Sequence, residues 1–305
     1  MTRSTSASGA AGPQHARSRR GSEAWARPVP DAGPDVEVLI PTAGRGAELA
    51  VTLAGLAAQD DPAFGVVVSD QSDREPAWQQ PAVASMVRVL QAQGRPVRLL
   101  RHLPRRGMAE HRQFLLDASS ANAVLFLDDD VWLEPGMLAR LHEALTELGC
   151  GFVGAAVQGL SYLDDDRPAE RETFELWPGR VEPERLRRGT DGFERWRLHN
   201  AANLTHQAAE LPLAADEWLA YKVAWVGACV LYRREALIAC GAFEFWPRLV
   251  PTHSGEDVAA QWRVMERFGG AGILPSGAVH LEAEPTLPVR DVDAFDVLFA
   301  SEETG

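Results

Sequence analysis

The stretch VLFLDDDVWLEPGM, residues 124–137, drives an apolar run into three consecutive aspartates, Asp128, Asp129 and Asp130. Carboxylates this close raise one another's pKa unless a cation neutralises them. The cluster therefore calls for a positive guest. Mg²⁺ and Mn²⁺ favour oxygen ligands, and an ion held by one or two carboxylates keeps places for water and for phosphate oxygens. One aspartate ahead of a helix is explained as an N-cap, but a cap does not account for three.

The elements that position this cluster follow from apolar spacing. VEVLI (36–40), GVVVSD (65–70), VRLLR (97–101) and AVLFLD (123–128) are short β-rich runs. Between them lie segments with helical spacing: AELAVTLAGLAAQ, PAWQQPAVASMVRVLQAQ with a start delayed by Pro81, and GMAEHRQFLLDASS; GMLARLHEALTELG follows the fourth run. Continuous apolar strands alternating with helices predict an α/β fold with a mostly parallel central sheet flanked by helices. In such sheets ligands bind at the C-terminal strand ends, where PTAGR, SDQSD and DDD all fall.

Further along, residues 160–220 are polar, irregular and broken by prolines. AWVGACVLYRREALIACGAF (224–243) restores a strand and a short helix. GEDVAAQWRVMERFG (255–269) reads as an amphipathic helix with Val258, Trp262, Met265 and Phe268 on one face. AGILPSGAVHLE (271–282) closes the expected core. Residues 1–34, rich in Ser, Ala, Gly, Pro and Arg, are expected to be a disordered arm, making at most peripheral membrane contact through Arg17, Arg19 and Arg20. Residues 289–305 are expected to be an acidic, peripheral C-terminal tail, leaving 35–288 as one domain.

The bulk numbers exclude several classes. The chain has 305 residues and a formal net charge of −13, and Lys222 is its one lysine. That balance argues against a general nucleic-acid binder, which needs clustered cations. Cys150, Cys229 and Cys240 have no CxxC spacing and fit a reducing, cytoplasmic setting better than a disulfide framework. No apolar run approaches the length of a transmembrane helix, and the N-terminus has no signal-like apolar region.

Taken in order, these motifs resemble family 2 of the inverting glycosyltransferases, with the GT-A fold of nucleotide-diphospho-sugar transferases. VLIPTAGRGAELAVTLAGLAAQ is similar to the opening strand, loop and helix, VVVSDQSD to the second strand-end motif, and GMAEHRQFLLD to the family's arginine-bearing helix. LDDDV is similar to the DxD element, GACVLYRREALIACGAF to the acceptor-side strand and helix, and GEDV to the ED motif. The resemblance covers roughly Val36 to Glu282.

The resemblance implies that Pro41, Thr42 and Arg45 line a nucleotide pocket and that Asp70 accepts a hydrogen bond from the base. It implies that Arg112 holds the nucleotide side of the donor, that Asp128 faces ribose or sugar with Asp129 beside it, and that Asp130 ligates Mn²⁺ or Mg²⁺, with His280 as a further ligand. Asp257 would be the general base and Glu256 would orient acceptor hydroxyls; a helix cap is the plainer alternative for Asp257. The implied partners are a nucleotide-sugar donor and a sugar, lipid-linked or small-molecule acceptor. Such chemistry needs a cation for the departing diphosphate and one carboxylate behind the attacking hydroxyl.

Ser69 and Gln71 depart from the family's second motif, where an aspartate and a glycine are usual, so the base remains open. QWR at 261–263 does not supply the QxxRW element of chain-extending synthases, which favours transfer of a single sugar. A non-catalytic sugar-nucleotide binder on the same fold is the alternative, disfavoured by retention of Asp130, Glu256 and Asp257. PTAGRG is too poor in glycine for a nucleotidyltransferase loop, and Trp132 rules out the DDxxD motif of prenyl-transferring enzymes. Asp164–Asp166 are expected in a solvated loop. His199, Asn203 and His206 are candidates for acceptor contact without an assigned role. Gly227 and Trp225 are candidates for shaping the sugar pocket, with core packing equally open for Trp225. DVDAFD (291–296) lacks the strand that a phosphatase motif requires.

Overall fold

A computed structural model describes residues 33–165, 167–199, 202–211, 213–214, 217–286 and 289–300. The expected disordered arm lies outside these residues but for its last two positions. In chain order the first half comprises β1 (Val36–Thr42), α1 (Gly46–Ala57), β2 (Phe64–Asp70), α2 (Pro81–Ala92), β3 (Val97–Arg101), α3 (Met108–Asp117), β4 (Ala123–Leu127), β5 (Val131–Leu133), α4 (Met137–Leu148), β6 (Phe152–Gly154) and β7 (Gln158–Gly159). The second half comprises α5 (Pro168–Thr173), α6 (Ala202–Glu210), β8 (Leu219–Tyr221), β9 (Cys229–Arg233), α7 (Arg234–Ala239), β10 (His253–Ser254), α8 (Glu256–Phe268), β11 (Gly270–Leu274), β12 (Ala278–His280), β13 (Val292–Asp293) and α9 (Ala294–Leu298).

Eight strands form the central sheet in the order β3-β2-β1-β4-β9-β6-β11-β8. β3, β2, β1 and β4 pair in parallel, as do β6 and β11, whereas β9 and β8 run against their neighbours. The mixed α/β, mostly parallel architecture expected from the sequence is present. Its strands are continuous in apolar character because both faces are covered. In β1, Leu39 packs into one cluster with Val67, Val124 and Phe126, while Val38 and Ile40 pack into the other with Val66, Val68 and Leu125. α2 begins at Pro81, where its fixed φ and missing N–H suit the first helical position.

A second, three-stranded sheet, β5-β12-β7, sits at the end of β4. β12 pairs antiparallel with β5, bringing His280 opposite Val131, and Leu281 N–H donates to the Asp130 carbonyl at 2.8 Å. This sheet carries His280 back to the aspartate run.

α8 matches the predicted amphipathic helix. Trp262 and Met265 are buried, and the Trp262 indole N–H donates to the Ala224 carbonyl at 2.9 Å. The Gln261 side chain grips both backbone groups of Val226 at 2.8 Å. These contacts hold the segment leading into β9 against the helix that bears Asp257.

Of the expected peripheral tail, residues 289–300 pack onto the core, and 301–305 lie outside the described residues. β13 pairs with β10, and Ala294, Phe295, Leu298 and Phe299 are buried in the cluster that holds Trp262. Asp293 and Asp296 pair with Arg188 while Ala294, Phe295 and Leu298 turn toward the core, so mean acidity concealed a packed helix. The DVDAFD aspartates are structural here: Asp293 caps α9 by accepting from Phe295 N–H at 2.9 Å, and Asp291 accepts from the Thr252 hydroxyl at 2.7 Å.

Candidate active site

At the C-terminal ends of β1, β2 and β4 lies a cleft of about 490 Å³ whose walls include Pro41, Thr42, Arg45, Gln71, Arg112, Asp128, Asp129, Asp130, Glu256, Asp257 and His280. Ten of the eleven residues assigned from the resemblance therefore converge here, all but Asp70, from segments distant in sequence. A second cavity of about 450 Å³ adjoins it and shares Asp128, Asp257 and His280.

The aspartates divide the work among themselves. Asp129 turns toward β1, where its Oδ2 accepts from the Thr42 hydroxyl at 2.7 Å and its Oδ1 from Arg45 Nη1 at 3.0 Å. Its carbonyl accepts from Thr52 on α1 at 2.8 Å. Arg45 Nη1 also reaches Asp130 Oδ2 at 2.7 Å, and Nη2 donates to the Glu284 carbonyl. Asp128 pairs with Arg112 at 3.4 Å. The positive charge that the aspartate run demands is thus met, in the protein itself, by two guanidinium groups.

The electrostatics follow from burial. Burial pushes the Asp129 carboxyl up to about 6, against the Thr42 and Arg45 hydrogen bonds that hold it down. Asp128 is raised by burial and by the neighbouring Asp130 and Asp257, opposed by Arg112. Glu256 is likewise raised by burial and by Asp257. Burial alone would lower the pKa of Arg112, but Asp128, Glu256 and Asp257 outweigh it and hold the guanidinium above its ordinary value. Arg112 Nε lies 3.1 Å from Glu256 Oε1, tying α3 to α8 beneath the cleft.

Asp70 is not placed to meet a ligand. It is fully buried, and its carboxylate accepts from Ser72 N–H at 2.7 Å, the Ser72 hydroxyl at 3.0 Å, Ala77 N–H at 2.8 Å and Arg101 at 3.3 Å. It builds the loop after β2 because a buried carboxylate in a tight turn satisfies the free backbone donors there. Gln71 faces the cleft instead, and its amide nitrogen has no hydrogen-bond partner among the described residues.

The fit of a divalent ion is mixed. Asp130 Oδ2 and His280 Nε2 lie 3.6 Å apart, a separation that two ligands of one ion can span, and carboxylate oxygen with imidazole nitrogen suits Mn²⁺. Yet Glu282 N–H donates to His280 Nδ1 at 2.9 Å, which places the neutral ring's proton on Nε2. His280 ligates through Nε2 only if that hydrogen bond is released. Among the described residues no group of three or more His, Cys, Asp and Glu side chains converges as a metal site.

Several cleft residues carry no motif. Arg105 and Arg290 add positive charge to its walls, and His111 is buried with Nε2 2.8 Å from the Ser69 hydroxyl. His253 accepts the Ala109 N–H through Nε2 at 3.0 Å, satisfying a free donor in the first turn of α3. In the sequence, the cluster of arginines in RHLPRRG was a signal for Arg105, whereas nothing local distinguished His253.

Among the remaining candidates, His199 and Gly227 line the second cavity. Trp225 packs against Phe193 and Trp262 with ring centroids 6.2 and 6.4 Å away, which is the packing role. His206 bonds the Leu163 carbonyl at 2.7 Å. Asp164 and Asp165 are exposed as expected, while Asp166 and the Asn203 side chain lie outside the described residues.

A mostly parallel α/β sheet with a cleft at its C-terminal strand ends is the architecture of the GT-A fold. The sequence profile of glycosyl transferase family 2 matches residues 37–239, and the chain belongs to that family. Comparison with curated protein sequences finds no match. The fold is similar to that of the mannosyltransferase PcManGT from Pyrobaculum calidifontis in complex with GDP-Man and Mn²⁺, with a TM-score of 0.53 at 16% identity over 87% of this chain and 64% of that one. It is also similar to residues 1–349 of S. aureus TarS in complex with UDP-GlcNAc, with a TM-score of 0.52 at 15% identity over 83% of this chain and 60% of that one. At these identities the likeness is one of fold, and the chain spans about three fifths of the length of those structures. Among the described residues no helix is long and apolar enough to cross a membrane.

Proposed function

We propose that the chain transfers one sugar from a nucleotide-diphosphate sugar to an acceptor hydroxyl, with inversion at the anomeric carbon and Asp257 as general base. The observation that carries this reading is the position of Asp257 at the junction of the two cavities, shared with Asp128 and His280. The first cavity gathers Arg45, Arg105, Arg112 and Arg290, which suits a diphosphate. The unpartnered Gln71 amide is a donor for a base carbonyl. The second cavity leaves room for an acceptor on the far side of the donor sugar.

In the reaction the acceptor oxygen forms a bond to the anomeric carbon as the bond from that carbon to the diphosphate oxygen breaks. The electron pair leaves with the diphosphate, and the hydroxyl proton passes to an Asp257 oxygen. Glu256, held by Arg112, positions the start of α8. Asp130, and His280 after its proton shifts, would hold Mn²⁺ or Mg²⁺, whose contribution is to stabilise charge on the departing diphosphate. The GDP-Man and UDP-GlcNAc complexes of the similar structures support the donor class, and the Mn²⁺ of one supports the ion. Free thiols at Cys150, Cys229 and Cys240 support a reducing, cytoplasmic setting.

The test is a thermal-shift screen of nucleoside diphosphates and their sugars with and without Mn²⁺, followed by turnover of the stabilising donor. Selective stabilisation by one nucleotide is expected. Asp257→Asn is expected to keep that stabilisation and lose about 10²–10⁴-fold in kcat. Normal turnover by the variant would remove Asp257 as the base.

A further inference from the structure

Carboxylates line both adjoining cavities, but the arginines line only one of them. Arg45, Arg105, Arg112 and Arg290 belong to the walls of the first. The second is walled by the carboxylates of Asp128, Asp257 and Glu282 and by the imidazoles of His199 and His280, with Val157, Gly159, Tyr162, Gly227 and Ala228 between them. Arg112 balances Asp128, and acts through space on Asp257, from the donor side. Glu282 instead accepts from the hydroxyl and the backbone N–H of Ser161, both uncharged donors, and Asp257 Oδ1 accepts from Val258 N–H at 2.9 Å. Cations at the rim are already engaged. Arg167 stacks over Tyr162 and pairs with Asp165 at 2.7 Å and Glu170 at 3.2 Å, and Arg197 stacks over Trp196 and pairs with Glu194.

The rim has a second character. The turn after β7 exposes Leu160, Tyr162 and Leu163, with Tyr162 both lining the cavity and 44% exposed. An aromatic ring and two aliphatic side chains beside a polar cavity form a surface for the C–H face of a ring whose hydroxyls point inward.

We propose that the second cavity takes a hydroxyl acceptor bearing no negative charge near its reacting end: a neutral or amino-bearing glycoside whose ring rests on Tyr162 while its hydroxyl meets Asp257. A phosphate or carboxylate in the same place would stand against the like charges of Asp257 and Glu282 at short range, with no arginine or lysine in the cavity wall to offset them. The inference rests on the glycosyltransferase reading of the site and adds the class of acceptor. Tyr162 and His199 both come from the stretch 160–220, where the sequence is irregular but the structure holds α5 and α6, and these two residues thereby act in acceptor choice.

The experiment uses the full chain, the donor found by the nucleotide screen, and a matched acceptor panel of octyl glucoside, glucosamine, glucuronic acid and glucose 6-phosphate. Transfer is read by released nucleoside diphosphate and by mass of the product. Binding of the same four compounds to protein loaded with the nucleoside diphosphate is measured in parallel. The neutral and amino compounds are expected to exceed the two anions by about tenfold or more in kcat/KM or, without turnover, in affinity. Glu282→Gln keeps the shape and the Ser161 contacts but removes a charge, and is expected to shrink that ratio. Tyr162→Ala is expected to raise acceptor KM more than it lowers kcat.

Anions used or bound as well as the neutral compounds, or a ratio unmoved by Glu282→Gln, would overturn the charge assignment. Failure of all four to bind the loaded protein would remove this cavity as their site. Absence of any nucleotide or nucleotide-sugar binding is a different result, since it strikes the glycosyltransferase reading itself.

Discussion

Arg112 Nε lies 3.1 Å from Glu256 Oε1, joining the helix that follows β3 to the helix that bears Asp257. The same guanidinium reaches Asp128 at 3.4 Å, so one cation sets the distance between the end of β4 and the start of α8. Both partners of the Arg112–Glu256 pair are nearly inaccessible to water. Removing one partner of a buried pair leaves the other charge uncompensated, at a cost of about 3–5 kcal/mol. Arg112→Ala is expected to lose stability in that range in denaturant unfolding. Arg112→Lys is expected to fall between it and the native protein, because an ammonium cannot present the fork that meets two carboxylates.

Arg45 occupies the oxygen of Asp130 that a divalent ion would use, at 2.7 Å. Ion and guanidinium therefore compete in the nucleotide-free protein. Arg45→Met is expected to tighten Mn²⁺ binding without nucleotide by about tenfold or more, since one nearby positive charge is removed. Calorimetric titration of Mn²⁺ into the nucleotide-free variant measures this. An unchanged affinity would mean that the ion does not bind at Asp130.

His111 supplies a pH-dependent contribution to stability. Burial, with nearby His102 and Arg112, pushes its pKa down to about 3 from an ordinary 6.5. Between those values the unfolded chain binds the proton and the folded protein does not. Stability from this group is complete above pH 6.5 and is lost as pH falls toward 3, by about 1.4 kcal/mol per pH unit within the window. His111→Gln is expected to flatten the stability profile of the native protein by that slope in urea unfolding between pH 4 and pH 6. Parallel profiles for the two proteins would show that the ring is protonated in the folded state.

The C-terminal helix is part of the core on which the site rests. Phe295 is buried and meets Trp262 edge to face with centroids 5.2 Å apart. Phe295→Ala is expected to cost about 3–5 kcal/mol, the range for removing a buried aromatic ring. Because α8 carries both Trp262 and Asp257, turnover is expected to fall at temperatures where α9 loosens, measured as a lower temperature of half-inactivation.

Much of the sheet was legible along the chain, because strands covered on both faces are largely apolar, as β4 is throughout and β1 and β2 are apart from Glu37 and their polar C-terminal ends. The strand-end clusters were legible for the same reason: polar residues that end an apolar run mark the place where the sheet meets solvent. Asp70 shows the limit of this reasoning. Its position at a strand end is the same as that of Asp128, yet the loop after β2 folds back and consumes its carboxylate, while Gln71 turns to the cleft. The tail after Pro288 shows another limit, since its acidic residues dominated its composition while Phe295 and Leu298 entered the core.

By itself the sequence determined the α/β class, the strand carrying the aspartate run, and the helix opening with Glu256 and Asp257, because periodicity and local charge are properties of neighbours in the chain. Only the tertiary structure decided that Arg45 and Arg112 neutralise those aspartates, that His253 caps α3, and that arginines line one cavity and are absent from the walls of the next. Charges act through space over a few ångströms, and residues that far apart in the chain come within that range only when the sheet and its helices have packed.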